Sequence, residues 1–305
     1  MILLWGMPGD EPFDAVRAAL EWRKAPYTLL DQRRVLQQRL ELEVGPVLGG
    51  TVWSGEERVP LDEVSAVYTR VYDARRLPGV EDAGVAVHER VREVETALWS
   101  WVEEAPGRVV NRPAAMASNG SKPFQAALIE AQGFRVPETL VTTDPSAALE
   151  FWERHGSVIY KSVSGVRSIV SRLGPEHRER LRDVTWCPTQ FQAYVPGQDV
   201  RVHVVGDEVF PAEIVSDAVD YRYARRSGSS VELRAGLLDI DVAERCRALA
   251  SALGLHLAGL DLRRTPEGEW FCFEVNPSPC FTYYEHHTGH PIAATLAAFL
   301  AGAQK

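Results

Sequence analysis

Little in this sequence points toward a membrane, an oxidising compartment or a polyanion. Its 305 residues include only four cysteines, Cys187, Cys246, Cys272 and Cys280, with no C-x-x-C spacing. Neither a zinc site nor a disulfide framework is therefore indicated. No apolar run approaches the length of a membrane span. Met1–Trp5 is too short for a signal peptide, and Asp10 and Glu11 follow closely. The net charge of −9 excludes a chain that coats nucleic acid or anionic lipid non-specifically. There is no low-complexity tract and no internal repeat. These absences leave a cytoplasmic globular chain with no expected nucleic-acid or membrane partner. What is present, 45% hydrophobic and 25% charged residues, is enough to build two or three cooperating lobes.

Strand and helix patterns alternate along the chain, which predicts an α/β (α+β) class. A buried strand at Ile2–Trp5 leads through a glycine-containing loop into a helix over Pro12–Lys24. The loop lacks the full G-x-G-x-x-G pattern, so turn chemistry accounts for it. Further strands are expected at Tyr27–Leu30 and Ala66–Val71, and Val52–Pro60 reads as a hairpin or edge segment of unassigned pairing. Val87, Val91, Val94, Leu98 and Trp101 form the apolar stripe of a long amphipathic helix. Asn111-Arg112-Pro113 reads as a linker, which sets the expected units at residues 1–112, 113–190 and 191–305.

The most informative stretch is Gly259–Pro279, an apolar run, a Pro-Glu-Gly turn and a strand rich in aromatic and β-branched residues. A four-residue loop at Pro266–Glu269 places Thr265 opposite Trp270, Arg263 opposite Cys272 and Asp261 opposite Glu274. Strand alternation then puts Asp261, Glu274 and Asn276 on one face and Leu260, Leu262, Phe271, Phe273 and Val275 on the other. The bland alternative is a solvated strand face. Two facing carboxylates repel unless something positive lies between them, and three hard oxygen ligands suit Mg²⁺ carried by a nucleotide.

With its ending Glu274-Val275-Asn276-Pro277-Ser278-Pro279, the hairpin resembles the metal-binding segment of ATP-grasp ligases of the RimK-like branch. The resemblance runs from Lys122 to about Leu300. It implies an N-terminal α/β lobe followed by two lobes that clasp the nucleotide. It implies ATP and Mg²⁺ (or Mn²⁺) as cofactors, with Asp261, Glu274 and Asn276 as metal ligands and Lys122 and Lys161 on the phosphates. Phe191–Asp199 resembles the interlobe hinge, which places Gln192, Ala193 and Val195 near adenine and Asp199 near ribose. The family often has Glu at the position of Ala193. Arg201 shares a strand face with Asp199, and it and Arg222 are the implied catalytic cations. Asp220-Tyr221-Arg222 and the short Ser162–Ser168 loop are similar to the graspetide (microviridin-type) peptide ligases.

The implied activity joins a carboxylate to an amine or hydroxyl through an acyl phosphate, on a peptide, closing lactone or lactam links in a ribosomal precursor. The alternatives are a RimK-like ligase of an amino acid or protein C-terminus, and a non-catalytic nucleotide-binding homologue. Relatives of this kind are often dimers or tetramers, and a homodimer is the expectation carried from that resemblance. His286, His287 and His290 invite a metal reading, but helix-start chemistry and polarity at a substrate edge explain them better.

Overall fold

The computed structural model describes residues 1–163, 170–216 and 230–302. β1 (Ile2–Gly6) is buried along its whole length, as befits a parallel strand covered on both faces. α1 (Glu11–Trp22) starts where the Asp10 carboxylate accepts the Phe13 N–H, with Pro12 in the first turn. β2 (Tyr27–Asp31) then returns parallel to β1. β3 (Gln38–Glu43), β4 (Gly49–Ser54) and β5 (Glu57–Pro60) make a separate antiparallel sheet, which supplies the partners that the sequence left open for Val52–Pro60. β6 (Ala66–Arg70), α2 (Val85–Glu104) and β7 (Arg108–Val110) complete a first sheet of order β2-β1-β6-β7, all parallel. The α2 stripe buries Val91, Leu98 and Trp101, with Val87 and Val94 packed beside them.

Asn111 is more than a linker residue. It is 2% exposed, its Nδ2 donates to the carbonyls of Leu257 and Pro277, and its Oδ1 accepts the N–H groups of His256 and Leu257. The step out of the first sheet is thus fastened to the last one. α3 (Pro113–Met116) and α4 (Lys122–Ala131) follow. β8 (Thr139–Thr142), α5 (Pro145–His155), β9 (Val158–Ser162), β10 (Ser171–Arg172) and β11 (Thr189–Ala193) form an antiparallel sheet ordered β10-β9-β11-β8. Phe191–Ala193, expected at the head of the third unit, pair inside this central sheet.

The third sheet is antiparallel and ordered β14-β13-β12-β15-β16. It is built from β12 (Gln198–Val205), β13 (Glu208–Ser216), β14 (Val231–Ala235), β15 (Leu257–Arg264) and β16 (Trp270–Asn276), with α6 (Ile240–Ala252) between β14 and β15. α6 packs on one face through Val242, Cys246 and Leu249, against Val202, Leu260, Leu262, Cys272 and Val275. α7 (Thr282–Thr288) lies against the other face, where Tyr284 joins Ala212, Ile214 and Leu233. α8 (Ile292–Ala301) is apolar on nearly all sides, as a buried helix is, and packs against α1 and the first sheet. The chain's two ends therefore share one core.

Candidate active site

In the third sheet, β12, β15 and β16 lie side by side, so residues in register form rows across one face. The middle row is Arg201, Asp261 and Glu274. The next is His203, Gly259 and Asn276. The expected pairing of Asp261 with Glu274 is present, but the strands reach it differently. Cys272 faces Leu262, Phe271 faces Arg263 and Trp270 faces Arg264, with a register shift after Asp261. The loop takes one more residue than expected, closed by the Thr265 N–H donating to the Glu269 carbonyl. A bulge at Phe273 restores the register. As a result Cys272 is buried with Val275 in the core, while Phe271 and Phe273, expected there, are only partly covered on the site side.

Arg201 is 6% exposed and its Nη1 lies 2.5 Å from Asp261 Oδ1. Its guanidinium also lies over the Tyr284 ring. The arginine fits because position 259 is glycine: a Cβ there would collide with the guanidinium and crowd Pro279. The cation beside the carboxylate row relieves the repulsion between the two acids. Asn276 Oδ1 accepts the Ser278 N–H at 2.9 Å, which sets the direction of the amide. Two carboxylates and an amide oxygen, all partly open to solvent, are a donor set that suits Mg²⁺. Among the described residues no three His, Cys, Asp or Glu side chains form a metal cluster, so a third side-chain ligand at this row would come from another residue type, which the Asn276 amide supplies.

Beside this row opens a cleft of about 400 Å³ between the central and third sheets, lined by Lys122, Lys161, Gln125, Gln190, Gln192, Thr139 and Phe273 among others. Lys122 opens α4 after Ser121, and Lys161 sits on β9 opposite Gln190. Gln192 donates to the Thr139 hydroxyl at 3.0 Å. The cleft thus brings Lys122, Lys161 and Gln192 together. Ala193 and Val195 instead line a neighbouring hollow on the far side of Val136–Glu138. Alternation along β11 turns Ala193 away from Gln192, its N–H is donated to the Glu138 carbonyl, and the Val195 carbonyl accepts Arg263 Nη1. Asp199 is gripped by Arg263 through two hydrogen bonds of 2.7 and 2.9 Å. Arg222 and most of the Ser162–Ser168 loop lie outside the described residues.

Three contributors were not read from the sequence. Arg263 shares the face of Asp261 by simple alternation, which was a usable signal. Gln125 stands four residues before Ile129 on the buried side of α4. It donates to the Val275 carbonyl at 2.8 Å and accepts the Val275 N–H at 2.9 Å, so the helix that begins with Lys122 is stapled between Glu274 and Asn276. His203 is fully buried next to Arg201. Burial, with Arg201 and His290 nearby, holds its imidazole pKa well below the ordinary range, which favours the neutral ring.

The three late histidines do not converge on a metal. His287 contacts the Tyr283 carbonyl, and the His290 ring stands beside Phe210. Glu285, from the same segment, accepts the Ala293 N–H in the first turn of α8. Burial raises its pKa. His286 and His287 belong to the last turn of α7, and only Glu285 supplies helix-start chemistry, at α8.

A nucleotide-sized cleft between two antiparallel sheets, with an acid row at its edge, defines the ATP-grasp class of ligases. Residues 120–300, more than half of the chain, match the RimK-like ATP-grasp domain, and the chain belongs to that family. A probable alpha-L-glutamate ligase from Sodalis glossinidius is 28% identical over 222 residues, 67% of this chain and 72% of that protein. The ATP-grasp ligase PsnB, solved with a phosphomimetic variant of its minimal precursor, Mg and ADP, superposes with a TM-score of 0.81 at 27% identity, covering 99% of this chain and 97% of that one. The macrocyclase MdnC from Microcystis aeruginosa, bound with the precursor peptide MdnA, gives 0.84 at 22% identity, over 99% and 100% of the two chains. That likeness extends the shared fold through the first sheet. Among the described residues, no helix is long and apolar enough to cross a membrane.

Proposed function

We propose that this chain is an ATP-dependent peptide ligase that activates a side-chain carboxylate and passes it to an amine or hydroxyl of the same peptide. The observation that carries the reading is the Arg201–Asp261–Glu274 row, with Asn276 at its end, beside a cleft that holds Lys122 and Lys161. A carboxylate oxygen attacks the γ-phosphorus of ATP, ADP leaves, and an acyl phosphate forms. The amine or hydroxyl then attacks the acyl carbon, phosphate leaves, and a proton is released. Such transfers need positioning and charge neutralisation more than covalent help from protein.

In this account Lys122 and Lys161 bind phosphate oxygens. Gln192, held by Thr139, faces the base, and Asp199, oriented by Arg263, faces the ribose. Ala193 and Val195 support the hinge from behind. Arg201 and Arg222 offset charge developing on the transferred group. Asp261, Glu274 and Asn276 would hold Mg²⁺, which screens the phosphate charges. The chain acts in the cytoplasm, as a homodimer, on a peptide whose acidic side chains supply the carboxylate. The curated likeness to glutamate ligases favours a second reading, in which glutamate is the acceptor and a protein C-terminus is activated.

Glu274→Gln keeps the side chain's shape and removes its charge. It is expected to abolish ADP release, by more than about 100-fold on the scale of losing a charged metal ligand, while the thermal melt stays close to that of the parent. Full turnover in this variant would sink the metal assignment.

A further inference from the structure

The turn after the metal row is held from outside its own sheet. Its backbone runs from Asn276 to Pro279, and three carbonyls face the first sheet's elements. Asn111 Nδ2 donates to the Pro277 carbonyl at 2.6 Å. Arg70, the last residue of β6, directs Nη1 at the Ser278 carbonyl (3.4 Å), the Ser278 hydroxyl (3.2 Å) and the Pro279 carbonyl (3.2 Å). Arg70 is itself held, since its Nε is hydrogen-bonded to Asp10 Oδ1, and the Tyr72 hydroxyl donates to the other oxygen of that carboxylate. The side chains of Arg70 and Asp10 are only 11% and 7% exposed. Two charges so covered cost desolvation energy that apolar residues would avoid, so fold stability alone is a poor reason for them.

The consequence for the site runs through Ser278. Its N–H fixes Asn276 Oδ1, and Asn276 is the one uncharged member of the metal set. A carboxylate ligand is drawn to the cation by charge wherever its rotamer begins, whereas an amide contributes only when pre-oriented. Partners that orient ligands from behind are worth about 10–100-fold in metal affinity.

We propose that Arg70, locked by Asp10 and Tyr72, is a positioning residue for the metal row: by anchoring Ser278 and Pro279 it holds the Asn276 amide in its coordinating direction. The first sheet is then a working part of the nucleotide site. This inference rests on the metal reading given above.

The test is calorimetric binding of ADP to the full chain as Mg²⁺ is varied, which needs no peptide. Arg70→Met keeps the length of the side chain and removes its donors. It is expected to raise the Mg²⁺ concentration giving half-maximal ADP binding by about 10-fold. Arg70→Lys should recover part of the shift. In the Asn276→Ala background Arg70→Met should add almost nothing, because the two act through one group. Asp10→Asn, nearly isosteric, repeats the test by loosening Arg70 should Arg70→Met fold poorly. A merely structural role would lower the fraction of binding-competent protein without moving the Mg²⁺ midpoint. If Glu274→Gln and Asp261→Asn shift that midpoint but neither Arg70→Met nor Asp10→Asn does, the inference is overturned and the metal reading stands. If the acid variants do not shift it either, the metal reading itself has failed.

Discussion

Asp261 and Glu274 stand opposite each other, as the expected pairing of the hairpin has them. The path to that pairing was not legible in the sequence. A loop one residue longer than expected and a bulge at Phe273 cancel, so the acids meet while Cys272 and Phe273 exchange sides. Hydrogen-bond closure of a turn and the position of a bulge depend on what packs beneath the strands, which local pattern does not encode. His203 is fully enclosed, beside Arg201, His290 and the Tyr284 ring. Its environment has a measurable consequence. The unfolded chain takes up a proton at this histidine near its ordinary value of 6.5, and the folded chain does not. Stability is therefore full above pH 6.5 and falls as pH drops toward the depressed folded value, by about 1.4 kcal/mol per pH unit for this one group. His256 and His290, also shifted down by burial, act in the same direction. His203→Leu is expected to flatten the urea-midpoint profile between pH 6.5 and 5; an unaltered slope would show that the group is not held neutral.

At the scale of elements, α1 and α2 follow from apolar periodicity and from Pro and Asp punctuation. The pairing of distant strands does not. β11 joins the central sheet between β9 and β8, and β14 was not anticipated, because its partner strand β13 lies across the sequence from it through residues of no clear pattern. The contact that matters most to the site is between α4 and β16. Gln125 satisfies both backbone groups of Val275 in a buried place, and an isolated glutamine in a helical stripe gives little hint of such reach. Gln125→Ala leaves that N–H and carbonyl unpartnered and is expected to cost about 2–4 kcal/mol. It should also weaken ADP binding, since Lys122 begins the same helix. Urea denaturation measures the first effect and calorimetry the second, and a loss below about 0.5 kcal/mol would mean that water replaces the glutamine.

The whole molecule joins its first and last segments in one core, where Ile2, Leu4, Phe13 and Val16 meet Phe281, Ile292, Leu296 and Leu300. A division into units by composition could not show this, because α8 is distinguished only by being apolar all round. The acidic net charge of −9 coexists with a cleft lined by Lys122 and Lys161, so attraction of an anionic ligand there would come from the local field rather than from bulk charge. The architecture supplies a nucleotide cleft, an acid row and a brace from the first sheet. The central claim, that these serve intramolecular ligation on a peptide, is tested most directly by intact-mass analysis. The full chain is incubated with Mg²⁺-ATP and candidate precursor peptides that carry acidic side chains beside hydroxyl and amine side chains, and ADP is quantified in parallel. The account predicts that the peptide loses the mass of one water for each ADP released, with no loss when ATP is omitted. ADP release with an unchanged peptide mass, or a gain equal to added glutamate residues, would contradict it.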